Sequence, residues 1–275
     1  MRDCEQEFTG AMLLGLSKAW WSRVHHLPEE NDERLSAASS LAGALFAKGK
    51  FAKAETIYRE FLAVRRRVFD PEHEDTLSAT GNLATTLFCQ GKHAEAEKMH
   101  RELHAIELRV RRPEHQATLS TAMNLASALR VQGKHAEAEI MYGQVLSVQR
   151  RVLGPEHPST MKAAGNVAIT LIDQRKHIDA ETMFREIFAL QKRVLGSDHP
   201  NTLTTAGNLA VALTNVEKFA EAEAMLRENL TIQQRVLGSK HPDTLRTATN
   251  LAACAQMGSL YLYFQRTHGP RDAPT

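Results

Sequence analysis

Residues 199–213 read HPNTLTTAGNLAVAL, and the wording returns as HPSTMKAAGNVAITL at 157 and HPDTLRTATNLAACA at 241. Recurrence of this kind makes the period the first quantity to fix. Asn82, Asn124, Asn166, Asn208 and Asn250 stand 42 residues apart. The same step relates Thr76, Thr118, Thr160, Thr202 and Thr244; His73, His115, His157, His199 and His241; and Arg67, Arg109, Arg151, Arg193 and Arg235. One period before Asn82 stands Ser40, in SSLAGAL, so the first unit keeps the frame and changes the residue.

Within a unit the apolar spacing is helical. At about 100° per residue, Leu203, Ala206, Leu209, Ala210 and Leu213 share one face of a first helix. After TNVEK a second stripe runs through Phe219, Ala222, Met225, Leu226, Leu230, Ile232 and Val236, wide enough to touch both its partner helix and the next unit. Gly154, Gly196 and Gly238 suit a left-handed residue after a helix end, and the following His-Pro blocks continuation. Ser159, Asn201 and Asp243 are the expected N-caps of the next helices. The spacing predicts an array of antiparallel helix pairs over 34–257, with five full pairs and a sixth first helix. Residues 1–33 are expected to form a capping helix, with Trp20 and Trp21 over the first pair, and 258–275 an irregular tail.

The wording N-L-A-x-x-L, Q-G-K-H-A-E-A-E and R-V-L-G-x-x-H-P resembles the 42-residue tetratricopeptide repeats of kinesin light chain-like and nephrocystin-like proteins. The resemblance covers roughly residues 34–257. It implies an all-α, right-handed superhelical solenoid. Kinesin light chains also carry an N-terminal heptad coiled coil, and no sustained heptads precede residue 34.

Composition narrows the function classes. The chain has 275 residues, 43% hydrophobic and 24% charged, with a formal net charge of +2, so as a whole it exerts little pull on nucleic acid or anionic lipid. The basic run VRRRV at 64–68 falls in the last turn of a helix, where cations complement the macrodipole. Three scattered cysteines without CxxC spacing fit a reducing compartment, and the acidic start with its short MLLGL stretch fits neither a signal peptide nor a membrane span; the expectation is cytoplasmic.

Chemistry finds little purchase. The histidine ladders invite a metal reading, yet stacked repeats lie about 10 Å apart whereas zinc needs nitrogens at about 2 Å. A histidine bonding a helix end in the turn is the expected role. His100 and His104 lack the glutamate a zincin helix requires after the first histidine, and a solvated helix face is expected there. The Gly-Lys pairs at 49, 91 and 133 lack the phosphate-binding frame and read as helix-joining turns. No nucleophile, base and oxyanion donor assemble, so neither an enzyme nor a cofactor or metal is expected.

What remains is surface. Thr204, Asn208, Val211 and Asn215 cluster on the face of the first helix almost opposite its core stripe. The resemblance implies that first helices line a concave groove whose asparagines hold a bound peptide by its main chain. Carried over by position, the candidate peptide-binding residues are Asn82, Asn124, Asn166, Asn208 and Asn250, with Lys162, Ile169, Asp173, Thr204, Val211, Asn215 and Arg246 as candidates for selectivity. Two readings of the asparagine ladder stand side by side: an amide bonding a neighbouring helix, or an amide pairing with an extended main chain. Lys162 and Arg246 favour an acidic ligand.

The expected function is a non-catalytic scaffold or adaptor that holds an extended peptide or short helix from another protein. The competing class is the regulatory or sensing arm of a larger signalling NTPase. Loss of the pattern after LAACAQMG predicts self-association through the C-terminal end.

Overall fold

The computed structural model describes residues 2–268, which form twelve α-helices and no strand. They group into two compact units, Met1–Ala138 and Glu139–Thr275. The first holds α1 (Arg2–Val24), α2 (Asp32–Ala47), α3 (Phe51–Val68), α4 (Glu74–Cys89), α5 (His93–Val110), α6 (Gln116–Val131) and the start of α7 (His135–Leu153). The second holds the rest of α7, then α8 (Pro158–Asp173), α9 (His177–Leu195), α10 (Pro200–Asn215), α11 (Phe219–Val236) and α12 (Pro242–His268). Helices adjacent in the chain pack on one another, α1 to α6 in one unit and α8 to α12 in the other. First helices of successive pairs also touch: α4 with α6, α8 with α10, and α10 with α12. Such nearest-neighbour packing is what stacked helix pairs produce.

Two alanine ladders set how closely the helices approach. Ala42, Ala84, Ala126, Ala168 and Ala210 on first helices, and Ala54, Ala96, Ala138, Ala180 and Ala222 on second helices, are all fully buried. A methyl group fills such a crossing, and any larger side chain would force the backbones apart.

The turns follow different chemistry at their two ends. Between the helices of a pair the chain takes positive φ at Gly49, Gly91 and Gly133, then at Arg175 and Glu217, both at 63°. Between pairs, the histidine ladder caps the next helix. The Nδ1 atoms of His73, His115, His157, His199 and His241 accept the backbone N–H two residues on, at 3.2–3.3 Å. The capping residue is therefore the histidine, not Ser159, Asn201 or Asp243, because the chain reaches helical geometry two residues earlier than the Ser/Asn/Asp preference suggests. Gly196 has φ 91° and ψ 163°, so it turns through an extended positive-φ conformation instead of the left-handed helical one.

Second helices bury more polar atoms than their apolar stripe indicates. In α11, Ala222 and Leu226 are buried as expected, but Asn229 and Gln233 lie deeper than Val236, which is 43% exposed. Asn229 Nδ2 donates to Leu203 O at 2.9 Å, which offsets its burial. Gln233 belongs to a further 42-residue ladder, Arg65, Glu107, Gln149, Gln191 and Gln233, all buried near the ends of second helices. Arg65 there lies 3.2 Å from Asp75 and over the Phe61 and Phe69 rings.

The expected irregular tail begins as helix. From Gly258 to His268 the chain simply continues α12. Gly258 permits this, since a Cβ there would come within 3.1 Å of Phe219 Cβ, and Tyr261 then packs against the Phe219 ring at 5.3 Å. SLYLYF thus extends the sixth first helix; residues 269–275 lie outside the described residues.

Candidate functional site

Within the second unit, α8 and α10 run side by side and leave an open groove of about 450 Å³. Its walls are Met161, Lys162, Asn166 and Ile169 from α8, and Asn201, Thr204, Thr205 and Asn208 from α10. Phe184 and Gln191 of α9 rise between them as the floor. The local sequence dictates this: Pro158 and Pro200 start both first helices in the same register after their histidine caps, and Ala164, Ala168, Ala206 and Ala210 turn inward. The opposite face is left to solvent.

Five of the sequence-derived candidates, Lys162, Asn166, Ile169, Thr204 and Asn208, meet in this groove. Asp173 and Asn215 are the exposed last residues of α8 and α10, and Val211 is 37% exposed one turn beyond Asn208. On α12, Asn250 is half-buried, and exposed Arg246 is paired with Asp243 at 2.8 Å, so its charge is already matched. In the first unit Asn82 and Asn124 are exposed on α4 and α6. Among the described residues, none of the five asparagine side chains hydrogen-bonds to another part of the chain. Thr204 returns its hydroxyl to Pro200 O at 2.9 Å. Lys162 is exposed and has no carboxylate partner among the described residues.

Gln191 was not legible as a groove residue, because it sits inside the apolar stripe of a second helix. The usable signal was its 42-residue step: Gln149, Gln191 and Gln233 repeat, and each has a buried amide oxygen without a partner.

Within each unit, carboxylates tie successive repeats together. Lys92 Nζ lies 2.7 Å from Glu55, Lys134 Nζ 2.7 Å from Glu97, Lys176 Nζ 2.9 Å from Glu139, and Lys218 Nζ 2.7 Å from Glu181. Each lysine comes from the turn one repeat further on. Gln90, Gln132 and Gln174 donate to the first three of these carboxylates. Burial by itself would raise the Glu55 pKa, and the bonds from Lys92, Gln90 and Arg59 overcome it, bringing it to about 2. Glu97 is brought to about 2 by Arg101 and Lys134 against the same burial. Of the EAE carboxylates, Glu95, Glu97, Glu137, Glu139 and Glu221 tie repeats together, while Glu223 pairs with Arg227 of its own helix.

A second histidine ladder runs through His93, His135 and His177, and its first member has an aromatic role. Phe88 meets His93 edge-on at 5.0 Å just as Phe46 meets Phe51 at 5.3 Å, 42 residues earlier. His100 departs from the expected solvated face: it is 1% exposed, in the core position that Tyr58 and Tyr142 fill in the flanking repeats. Burial pushes its imidazole down to about 4. Among the described residues no group of three or more histidines, cysteines or carboxylates is placed to hold a metal ion.

No curated protein matches the chain. Among solved structures it is similar to the nearly identical TPR-like repeats of a candidate kinesin light chain from Podosopora anserina, at 25% identity and TM-score 0.68, over 77% of this chain and 99% of that one. It is also similar to BtubC (BKLC) from P. vanneervenii, at 19% identity and TM-score 0.65, over 86% and 93% of the two chains. NprR in complex with its cognate peptide NprX shares the fold at 12% identity and TM-score 0.56, over 96% and 84%. The family model described as tetratricopeptide repeat matches residues 33–107, 117–192, 159–228 and 206–261. Repeat length, helix pairing and these matches agree, and the chain belongs to the tetratricopeptide repeat family.

Proposed function

We propose that this protein is a non-catalytic scaffold or adaptor that holds an extended peptide segment of another protein along its first helices. The observation that carries the reading is the α8–α10 groove, where Asn166 and Asn208 offer amides with no bond to the rest of the chain. Each amide has a donor and an acceptor, the complement of one peptide unit of an extended strand. Repetition of the amide suits a ligand feature that also repeats, the main chain. Half-buried Ile169 supplies apolar contact beside the amides, with Met161 and Phe184 buried beneath it.

Lys162 is the unmatched cation of the groove, which favours an acidic side chain opposite it. Arg246 drops out of that role because Asp243 already pairs with it. A fold shared with NprR, solved with a peptide, is consistent with peptide capture by such an array. Self-association through α12 belongs to the same proposal: Met257, Leu260, Leu262 and Tyr263 are 47–62% exposed along its end.

An array of synthetic 12-residue peptides, acidic, neutral and basic, tests the reading. Acidic members retained by the wild type and lost by the Asn166→Ala/Asn208→Ala variant, with both proteins melting at the same temperature, support it. Retention unchanged by the double substitution contradicts it.

A further inference from the structure

The last helix is a first helix whose pair is unfinished. In the five complete pairs Leu35, Leu77, Leu119, Met161 and Leu203 are only 3–7% exposed, and the alanine ladder from Ala42 to Ala210 is fully buried. In α10 this burial comes in part from its own second helix, where Asn229 bonds Leu203 O. One step on, in α12, Leu245 is 55% exposed and Ala252 is exposed as well. At about 100° per residue, exposed Leu260 and Tyr263 extend the same stripe. The cause is local. Where Gly49, Gly91, Gly133, Arg175 and Glu217 turn the chain back with positive φ, Ser259 stays helical, and among the described residues no second helix returns over α12.

The first helix, α1, presents the complementary half. It packs on α2 as α3 packs on α4 and α11 on α12, the contact that a second helix makes with the first helix following it. Leu14, Ser17 and Trp21 face inward there, with Ser17 Oγ 2.9 Å from Ser40 Oγ. About a third of a turn round the helix, Met12, Leu13 and Leu16 are 53–58% exposed. Complete second helices such as α3 and α5 pack on the first helix of their own pair as well as on the next one. On α1 that second apolar face has no helix over it among the described residues.

We propose that α12 of one copy packs on α1 of a second copy, the two completing one helix pair, with α2 of the second copy standing as the next first helix. These are the two neighbours that α10 has and α12 lacks. The proposal rests on self-association through α12 and names the surface that receives it. Because α1 and α12 are different surfaces, the contact is heterologous: a joined copy still offers one free α1 or α12, and growth continues past two.

Two half-blocked variants of the full chain test this. Leu13→Lys/Leu16→Lys closes α1, and Leu245→Lys/Ala252→Lys closes α12; all four residues are exposed, so melting temperatures should match the wild type. In light scattering at matched concentrations, the wild type is expected to climb past two copies and each variant alone to stay at one. An equimolar mixture reaches two copies and stops, since one partner keeps a free α12 and the other a free α1. Should a lysine pair unfold its helix, Leu13→Ser/Leu16→Ser and Leu260→Ser/Tyr263→Ser take their places with the same expected readings. If the α1-blocked variant associates as the wild type does, α12 meets a surface other than α1: the proposal falls while self-association through α12 stands. A mixture that stays at one copy while the wild type associates also overturns the proposal. Association that survives the blocking of α12, or a wild type that keeps the mass of one copy, overturns both.

Discussion

His100 stands where Tyr142 stands one repeat later, and both are about 1% exposed. A titratable ring thus occupies a core position that its neighbours fill with a phenol. The unfolded chain binds this proton near the ordinary value of 6.5 and the folded chain only at about 4. Between those values the unfolded state holds more protons, so stability is complete above pH 6.5 and falls with pH, by up to about 3 kcal/mol near pH 4. His104 adds in the same direction, because its burial lowers its pKa against the opposing charge of Glu107. Urea midpoints at pH 7 and pH 4.5 measure the loss; His100→Tyr should remove most of the difference.

The buried carboxylates act in a different window. Glu97, held at about 2, contributes fully above pH 4.5 and loses its contribution as pH falls through 2. Glu97→Gln leaves Lys134 and Arg101 without their acceptor and is expected to cost about 1–3 kcal/mol at pH 7. Its unfolding curve should lose the Glu97 share of the sensitivity between pH 4.5 and 2, with the Glu55 share and the His100 limb retained.

Arg175 and Glu217 adopt at 63° the left-handed conformation that Gly49, Gly91 and Gly133 supply in the other repeats. An L-residue pays about 1–2 kcal/mol there, and a glycine gives back part of it through the freer unfolded chain. Each of Arg175→Gly and Glu217→Gly should stabilise the protein by about 0.5–1 kcal/mol in thermal melts.

The histidine caps make a separable contribution. His199→Ala removes the acceptor of the Asn201 N–H and should cost about 1 kcal/mol, whereas His199→Asn, able to accept the same bond, should cost a few tenths. Equal loss in both variants would place the effect in packing.

Self-association through α12 is testable by light scattering. A rise in apparent mass with concentration, removed by Leu260→Ser/Tyr263→Ser, is expected; a constant monomer mass across the range contradicts it.

These residues also mark how far the sequence could be read. Helix pairs, the period and the first-helix core, Leu203 to Leu213, were legible because burial on a first helix follows apolar periodicity directly. Gln191 and Asn229 were not, since their burial depends on what the neighbouring repeat places against them, and polarity at one position looks like exposure. The histidines were legible as turn residues bonding a helix end, but the N-cap itself was placed two residues late, at Ser159, Asn201 and Asp243, because the Ser/Asn/Asp preference outweighs histidine in general and the backbone at His157 and His199 decides it. The continuation of α12 depends on Gly258 meeting Phe219, a contact 39 residues apart that periodicity cannot contain. Of the candidate groove, the sequence yielded the exposed face, while the convergence of Lys162, Asn166, Ile169, Thr204 and Asn208 over Phe184 required the packing of α8 on α10.

The central claim is that asparagine amides hold a ligand by its main chain. An acidic peptide retained from the array is resynthesised with single N-methyl groups along its backbone, and affinities are measured for wild type and for Asn166→Ala/Asn208→Ala. The account predicts that N-methylation at one or two positions weakens wild-type binding by about tenfold, the cost of an unpaired buried amide, and produces no further loss in the double variant. Tolerance of N-methylation at every position, or an equal loss in both proteins, would contradict it.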